Sequence, residues 1–164
     1  AEPLVPAIKG VESGTARQAV DVYGKEEDLG ERIVVVGGGQ VGCETALHLA
    51  RLGRKVVIVE MLPELAPDAS PTHRTELLQE LDREANLSYL TSDRCNEITP
   101  NGVVCASGFI EAGDVILATG MRALSLEAEA FRPETGQFVA IGDCVRPRRV
   151  ENAIKEAYYA AINW

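Results

Sequence analysis

The sequence is poor in the residues that build metal, redox and nucleic-acid sites. It has two histidines, His48 and His73, and no H-E-x-x-H, so no zinc enzyme is expected. Its four cysteines, Cys43, Cys95, Cys105 and Cys144, form no C-x-x-C pair. That argues against a thioredoxin-like motif, a zinc ribbon or a disulfide scaffold. Single scattered cysteines fit a reducing, cytoplasmic setting. Bases are in deficit: 16 Lys+Arg against 25 Asp+Glu leave a formal charge of −9. A nucleic-acid or anionic-membrane binder needs a basic face instead. No apolar run approaches the ~20 residues that cross a bilayer. The longest pure run near the start, 33–36, is too short and misplaced for a signal peptide. What remains is an ordinary globular composition, 46% apolar over 164 residues, long enough for a real core.

The order of elements predicts an α/β fold, a Rossmann-like βαβ parallel sheet with a small antiparallel meander and a C-terminal helix. Residues 1–12 read as an extended connector, residues 15–22 as a short helix and 25–30 as a charged turn. The β-branched run 33–36 predicts a strand buried on both faces. Residues 41–52 follow as an apolar helix stopped by Gly53, and 55–59 form a second strand. Ser70-Pro71 opens another helix, with Ser70 as N-cap. A strand is expected at 87–90 and a meander over 93–111, around the Asn101-Gly102 hairpin signal. Further strands are expected at 114–118 and 138–141, and a helix from about 150 to Trp164. The chain opens on Ala1, and its last helix meets no Gly or Pro stop. Both features suggest a piece of something longer.

Gly37-Gly38-Gly39-Gln40-Val41-Gly42 matches G-x-G-x-x-G at a strand-to-helix junction, and Glu60 closes the next strand 18 residues after Gly42. Each part has a physical reason. Gly37 permits the tight turn, Gly39 lets a pyrophosphate approach the backbone, and Gly42 lets helix and strand lie close. Gln40 and Val41 open a helix whose free N–H groups and dipole favour phosphate. Glu60 is placed to accept ribose hydroxyls and to repel a 2′-phosphate, so NAD(H) is expected over NADP(H). The bland reading is a tight turn with no ligand and a solvated Glu60. Arg74 is the first base after Glu60, and folding alone decides whether it comes near.

The stretch IVVVGGGQVGCETALHLARLGRKVVIVE resembles the pyridine-nucleotide fingerprint of flavoproteins with two dinucleotide-binding domains, with Glu44 at the end of Gly-x-Gly-x-x-Gly-x-Glu. DVILATG, ending in Gly120, resembles the Ala-Thr-Gly strand of that superfamily. FVAIGD, with Gly142 and Asp143, resembles its flavin-contacting Gly-Asp motif. The closing segment resembles old yellow enzyme-like reductases with a fused flavoprotein tail: 2,4-dienoyl-CoA reductase, 2-enoate reductase and trimethylamine dehydrogenase. The resemblance implies a connector from an FAD domain at 1–30, an NAD(H)-binding domain at 31–137 and a return segment of the FAD domain at 138–164. It also implies that Glu44 and Gly120 lie near the nicotinamide and Asp143 near FAD. The missing FAD domain and a barrel with FMN and a 4Fe-4S cluster would be partners in the same polypeptide, neither carried by this chain.

The function so implied is to position NADH for hydride transfer to FAD, with electrons destined for an unsaturated acyl substrate. No side chain here needs to act as acid or base. Two other readings stay open: a structural module that holds ADP, and a compact FAD domain. A short-chain dehydrogenase is excluded, because Tyr158 and Tyr159 are followed four residues on by Ile162 and Asn163 rather than Lys. Cys43 reads as a packing residue, although it sits at a helix N-terminus. Glu44 is equally read as a first-turn acid set against the helix dipole. The apolar stripe Ala153, Ile154, Ala157, Tyr158, Ala161 and Ile162 is read as built for a partner, such as a second copy in a homodimer.

Overall fold

A computed structural model describes residues 1–163; Trp164, the expected end of the last helix, lies outside the described residues. The strands are β1 (Glu2–Pro3), β2 (Ala16–Gln18), β3 (Arg32–Val36), β4 (Lys55–Val59), β5 (Leu87–Leu90), β6 (Cys95–Thr99), β7 (Gly102–Cys105), β8 (Gly108–Glu111), β9 (Asp114–Leu117) and β10 (Met121–Arg122). The helices are α1 (Gln40–Arg51), α2 (Pro71–Arg83), α3 (Ser125–Glu129) and α4 (Val150–Ile162). The chain forms two compact units, Val5–Gly120 and a smaller one from Ala1–Leu4 with residues 121–163.

The larger unit is built on a five-stranded parallel sheet of order β2-β9-β3-β4-β5. Strand β3 explains its layers. Ile33 and Val35 point to one face and Val34 and Val36 to the other, and all four are buried. The first face packs against Ala46, Leu49 and Ala50 of α1 and Leu77 and Leu81 of α2. Small alanines let α1 lie close, and each fully buried Leu, Ile or Val contributes about 1.5–3 kcal/mol. The opposite face is covered by the antiparallel sheet β6-β7-β8, through Cys95, Ile98, Val103 and Cys105. The expected meander thus takes the place of a second helical layer.

Gly53, at φ +84°, ends α1 as expected, and Ser70 and Pro71 start α2. The short helix expected at 15–22 is not formed. Ala16–Gln18 is instead a strand pairing with β9, followed by one 3-10 turn at Ala19–Asp21. The exposed edge of β9 needs a backbone partner, and that demand overrides local propensity. The strand expected at 138–141 is also absent. This stretch has no ladder partner among the described residues and leads into a 3-10 turn at Gly142–Cys144. No helix among the described residues is long and apolar enough to cross a membrane.

Cys95 and Cys105, distant in sequence pattern, stand directly opposite each other on β6 and β7 as free thiols. Burial pushes the Cys105 thiol up to about 12. Just before β6, Asp93 ties down the end of the β7–β8 turn: its carboxylate accepts the Ser107 hydroxyl and, at 3.2 Å, the Ser107 N–H. These bonds, the hydroxyl first, hold the Asp93 carboxyl below its ordinary range. A carboxyl depressed by folding adds stability above its unfolded pKa, and loses it as pH falls through the folded value. Asp93→Asn is therefore expected to lower the thermal midpoint at pH 7. The gap from the parent should shrink as pH falls below about 4. Thermal scans from pH 7 to pH 3 check this, and a constant gap would remove the charge from the explanation.

Candidate functional site

In the larger unit the sequence runs β3, β4, β5 in one direction across the sheet, then crosses to β9 on the other side of β3. The carboxyl ends of β3 and β9 therefore flank a topological switch point, where open α/β sheets bind ligands. The glycine turn sits there. Gly37, at φ +106°, donates its N–H to Val59 O at 2.9 Å, and a Cβ on it would lie 2.4 Å from Ala118 O. A Cβ on Gly42 would lie 1.9 Å from Gly37 O, so the helix rests on the turn itself. Gly120, at φ +97°, follows β9 with nothing within 4 Å of where its Cβ would be.

Gly39 is the N-cap of α1, with no side chain to cap it. The N–H groups of Val41 and Gly42 lie in the first helical turn and have no intrahelical acceptor. Val41 itself is exposed. Glu60 is buried, at 7% exposure. Its Oε2 accepts the Gly38 N–H at 2.5 Å and its Oε1 the Leu62 N–H at 2.7 Å. The acid is thus a brace between the glycine turn and the loop after β4, rather than a freely solvated strand end. Each oxygen keeps a further lone pair for a ligand hydroxyl.

Glu44 Oε1 accepts the Gln40 side-chain amide at 2.9 Å and lies 2.8 Å from His73 Nε2 on α2. The Cys43 thiol donates to Gly38 O at 3.4 Å, and burial pushes it up to about 12. Desolvation outweighs the backbone bond from Ala66, and the fully buried side chain packs in the core, as expected of a packing residue. Arg74 does fold onto the loop after Glu60, where its guanidinium bonds Leu65 O and Glu64.

The structure therefore brings together Gly37, Gly39, Gln40, Val41, Gly42, Glu44, Glu60 and Gly120 at the carboxyl ends of the interior strands β3, β4 and β9. Gly142 and Asp143 belong to the smaller unit. There Gly142 donates its N–H to Glu156 Oε2 at 2.7 Å, and Asp143 Oδ1 accepts the Arg148 N–H at 3.2 Å. Three residues of the site escaped sequence reasoning. Gly38 was hidden as the variable position of the motif, although a Cβ on it would strike Leu65 at 2.4 Å. Asp68 accepts the Gln40 N–H at 2.8 Å, and His73 reaches Glu44. Neither carries a local signal, because both arrive through the packing of the 61–70 loop and α2. Among the described residues no cluster of three or more metal-binding side chains exists.

The family described as pyridine nucleotide-disulphide oxidoreductase matches residues 1–157. An NADH oxidase of Thermoanaerobacter brockii is 37% identical over 98% of this chain and 26% of its own length. A bilirubin reductase of Mediterraneibacter gnavus is 34% identical, with 98% and 26% covered. The solved structure of a 2-naphthoyl-CoA reductase complex superposes with a TM-score of 0.80 at 27% identity, covering 96% of this chain and 24% of that one. The chain spans about a quarter of the length of these relatives. They are an NADH oxidase and reductases of other compounds, rather than the 2,4-dienoyl-CoA, 2-enoate or trimethylamine enzymes expected from the sequence.

Proposed function

Because the chain belongs to the pyridine nucleotide-disulphide oxidoreductase family, we propose that residues 31–137 hold NADH for a flavin carried elsewhere in a longer protein. One observation carries this reading. A Cβ-free turn opens at the switch point, onto the N-terminus of α1, with Glu60 fixed beside it by the Gly38 N–H. These residues fit a dinucleotide. Gly39 leaves backbone open to a pyrophosphate, the first turn of α1 offers N–H donors, and Glu60 offers carboxylate lone pairs to a ribose. NADH supplies a hydride from nicotinamide C4 to flavin N5 when both groups are bound. The chain's own part is positioning: Gln40 and Val41 orient phosphate, Glu60 the ribose, and Glu44 and Gly120 border the nicotinamide end. No side chain moves a proton.

An FAD partner, contacted through Gly142 and Asp143, is the reading for residues 138–164, with residues 1–30 as the connector from that domain. An unsaturated acyl substrate is supported by the likeness to a reductase of 2-naphthoyl-CoA. FMN and a 4Fe-4S cluster rest on the old yellow enzyme-like resemblance alone. In the smaller unit Ile154, Tyr158 and Ile162 of α4 are exposed, leaving the apolar stripe uncovered. Without its partner domain this chain is expected to self-associate with concentration in sedimentation runs, and Ile154→Asp to restore the monomer. A parent that stays monomeric at all concentrations would remove the dimer.

Titration calorimetry tests the nucleotide reading. The chain is expected to prefer NADH to NADPH, and Glu60→Gln to narrow that preference by about tenfold, or about 1.4 kcal/mol. Tighter binding of NADPH by the parent would overturn the assignment. ADP bound as tightly as NADH would favour the structural module instead.

A further inference from the structure

We propose that Asp68 sets the dinucleotide affinity of this site, as a resident carboxylate that stands in the pyrophosphate position and must swing out before a dinucleotide seats. The inference rests on the nucleotide reading above and deepens it by naming a residue that works against binding.

Three observations meet at this side chain. Its Oδ1 accepts the N–H of Gln40, the first residue of α1, at 2.8 Å. Its carboxyl also stands over Gly39. The three nearest heavy atoms to a Cβ built on Gly39 are Asp68 Oδ1, Oδ2 and Cγ, at 3.4, 3.6 and 3.8 Å. Gly39 thus leaves a face of backbone open, and Asp68 covers it. Finally, Asp68 is exposed while the loop that carries it is anchored. Ala66 donates its N–H to Gly38 O at 2.7 Å, and Leu65 and Ala66 are buried. Arg74 Nε donates to Leu65 O at 2.9 Å. The loop stays in place and the carboxylate is free to turn into solvent.

Charge decides the competition. A carboxylate and a pyrophosphate are both anions, and one N–H serves one of them fully. The groups beside this position do not soften the clash. Glu44 and Glu60 add negative charge, Arg74 is engaged by Glu64, and His73 faces Glu44. Like charges held in contact at a binding site cost affinity, and removing one returns it. The carboxylate also satisfies the first N–H of the helix while no nucleotide is present, as an acidic cap does.

Titration calorimetry on the 164-residue chain, with Asp68→Asn and Asp68→Ala beside the parent, separates the outcomes. Both variants are expected to bind NADH at least fivefold more tightly, on the scale of removing one like charge. Their affinity for adenosine, which has no phosphate, is expected to stay unchanged. Equal or weaker NADH binding by a folded Asp68→Asn chain overturns the inference and leaves the nucleotide reading standing. Tighter binding of adenosine as well also overturns it, because the effect would not be at the phosphate. No NADH binding by any of the three chains overturns the nucleotide reading, and this inference with it.

Discussion

Gly42→Ala is expected to lower the stability of the sheet unit by about 3 kcal/mol, the upper end of overpacking costs. A Cβ there would lie 1.9 Å from Gly37 O and 3.2 Å from Ala118 Cβ. Gly37 O is backbone of the strand-to-helix turn and an alanine Cβ has no rotamer, so no side-chain rotation relieves the clash. α1 would have to lift off β3, and the buried packing of Ala46, Leu49 and Ala50 would loosen with it. Alanine is about 1 kcal/mol better than glycine inside a helix, so propensity alone predicts the opposite sign. Gly53→Ala is the control. Gly53 has φ +84° and nothing within 4 Å of its Cβ position, so only backbone strain of about 1–2 kcal/mol is expected. Urea unfolding followed by circular dichroism measures both. A Gly42→Ala chain as stable as the parent would mean that α1 does not rest on the glycine turn.

Gly39→Val is expected to do the reverse: little change in stability, and a loss of NADH affinity of about 100-fold, or about 2.7 kcal/mol. Gly39 has φ −67° and ψ −179°, an extended conformation open to any residue. Its Cβ would meet only the exposed Asp68 carboxyl, at 3.4 Å, which can yield. The same volume lies where a pyrophosphate approaches the first N–H groups of α1. Calorimetry with NADH, beside urea unfolding of the same chain, checks the pair of effects. Parental affinity in a folded Gly39→Val chain would put the nucleotide elsewhere. Two glycines three residues apart thus separate folding from binding, because one faces backbone and the other faces an exposed side chain that can move aside.

The sequence by itself determined what is written within about thirty residues. The run Ile33 to Val36 specified a doubly buried strand through its β-branched, uninterrupted character. The glycine spacing specified the tight junction, Gly53 the helix stop, and Asn101-Gly102 a hairpin whose two-residue loop lies one residue earlier, at Pro100-Asn101. These signals are local because turn geometry and side-chain period are properties of consecutive residues. The tertiary structure alone decided the rest. It made Ala16–Gln18 an edge strand where a helix was expected, because β9 offered an open ladder. It left 138–141 without a ladder, and laid the meander on the second face of the sheet. It brought Asp68 to Gln40 across 28 residues and His73 to Glu44 across 29, and it turned Glu60 inward onto the glycine turn. Each of these depends on a backbone donor or an apolar face that another segment must satisfy, and no stretch of sequence states which segment that is.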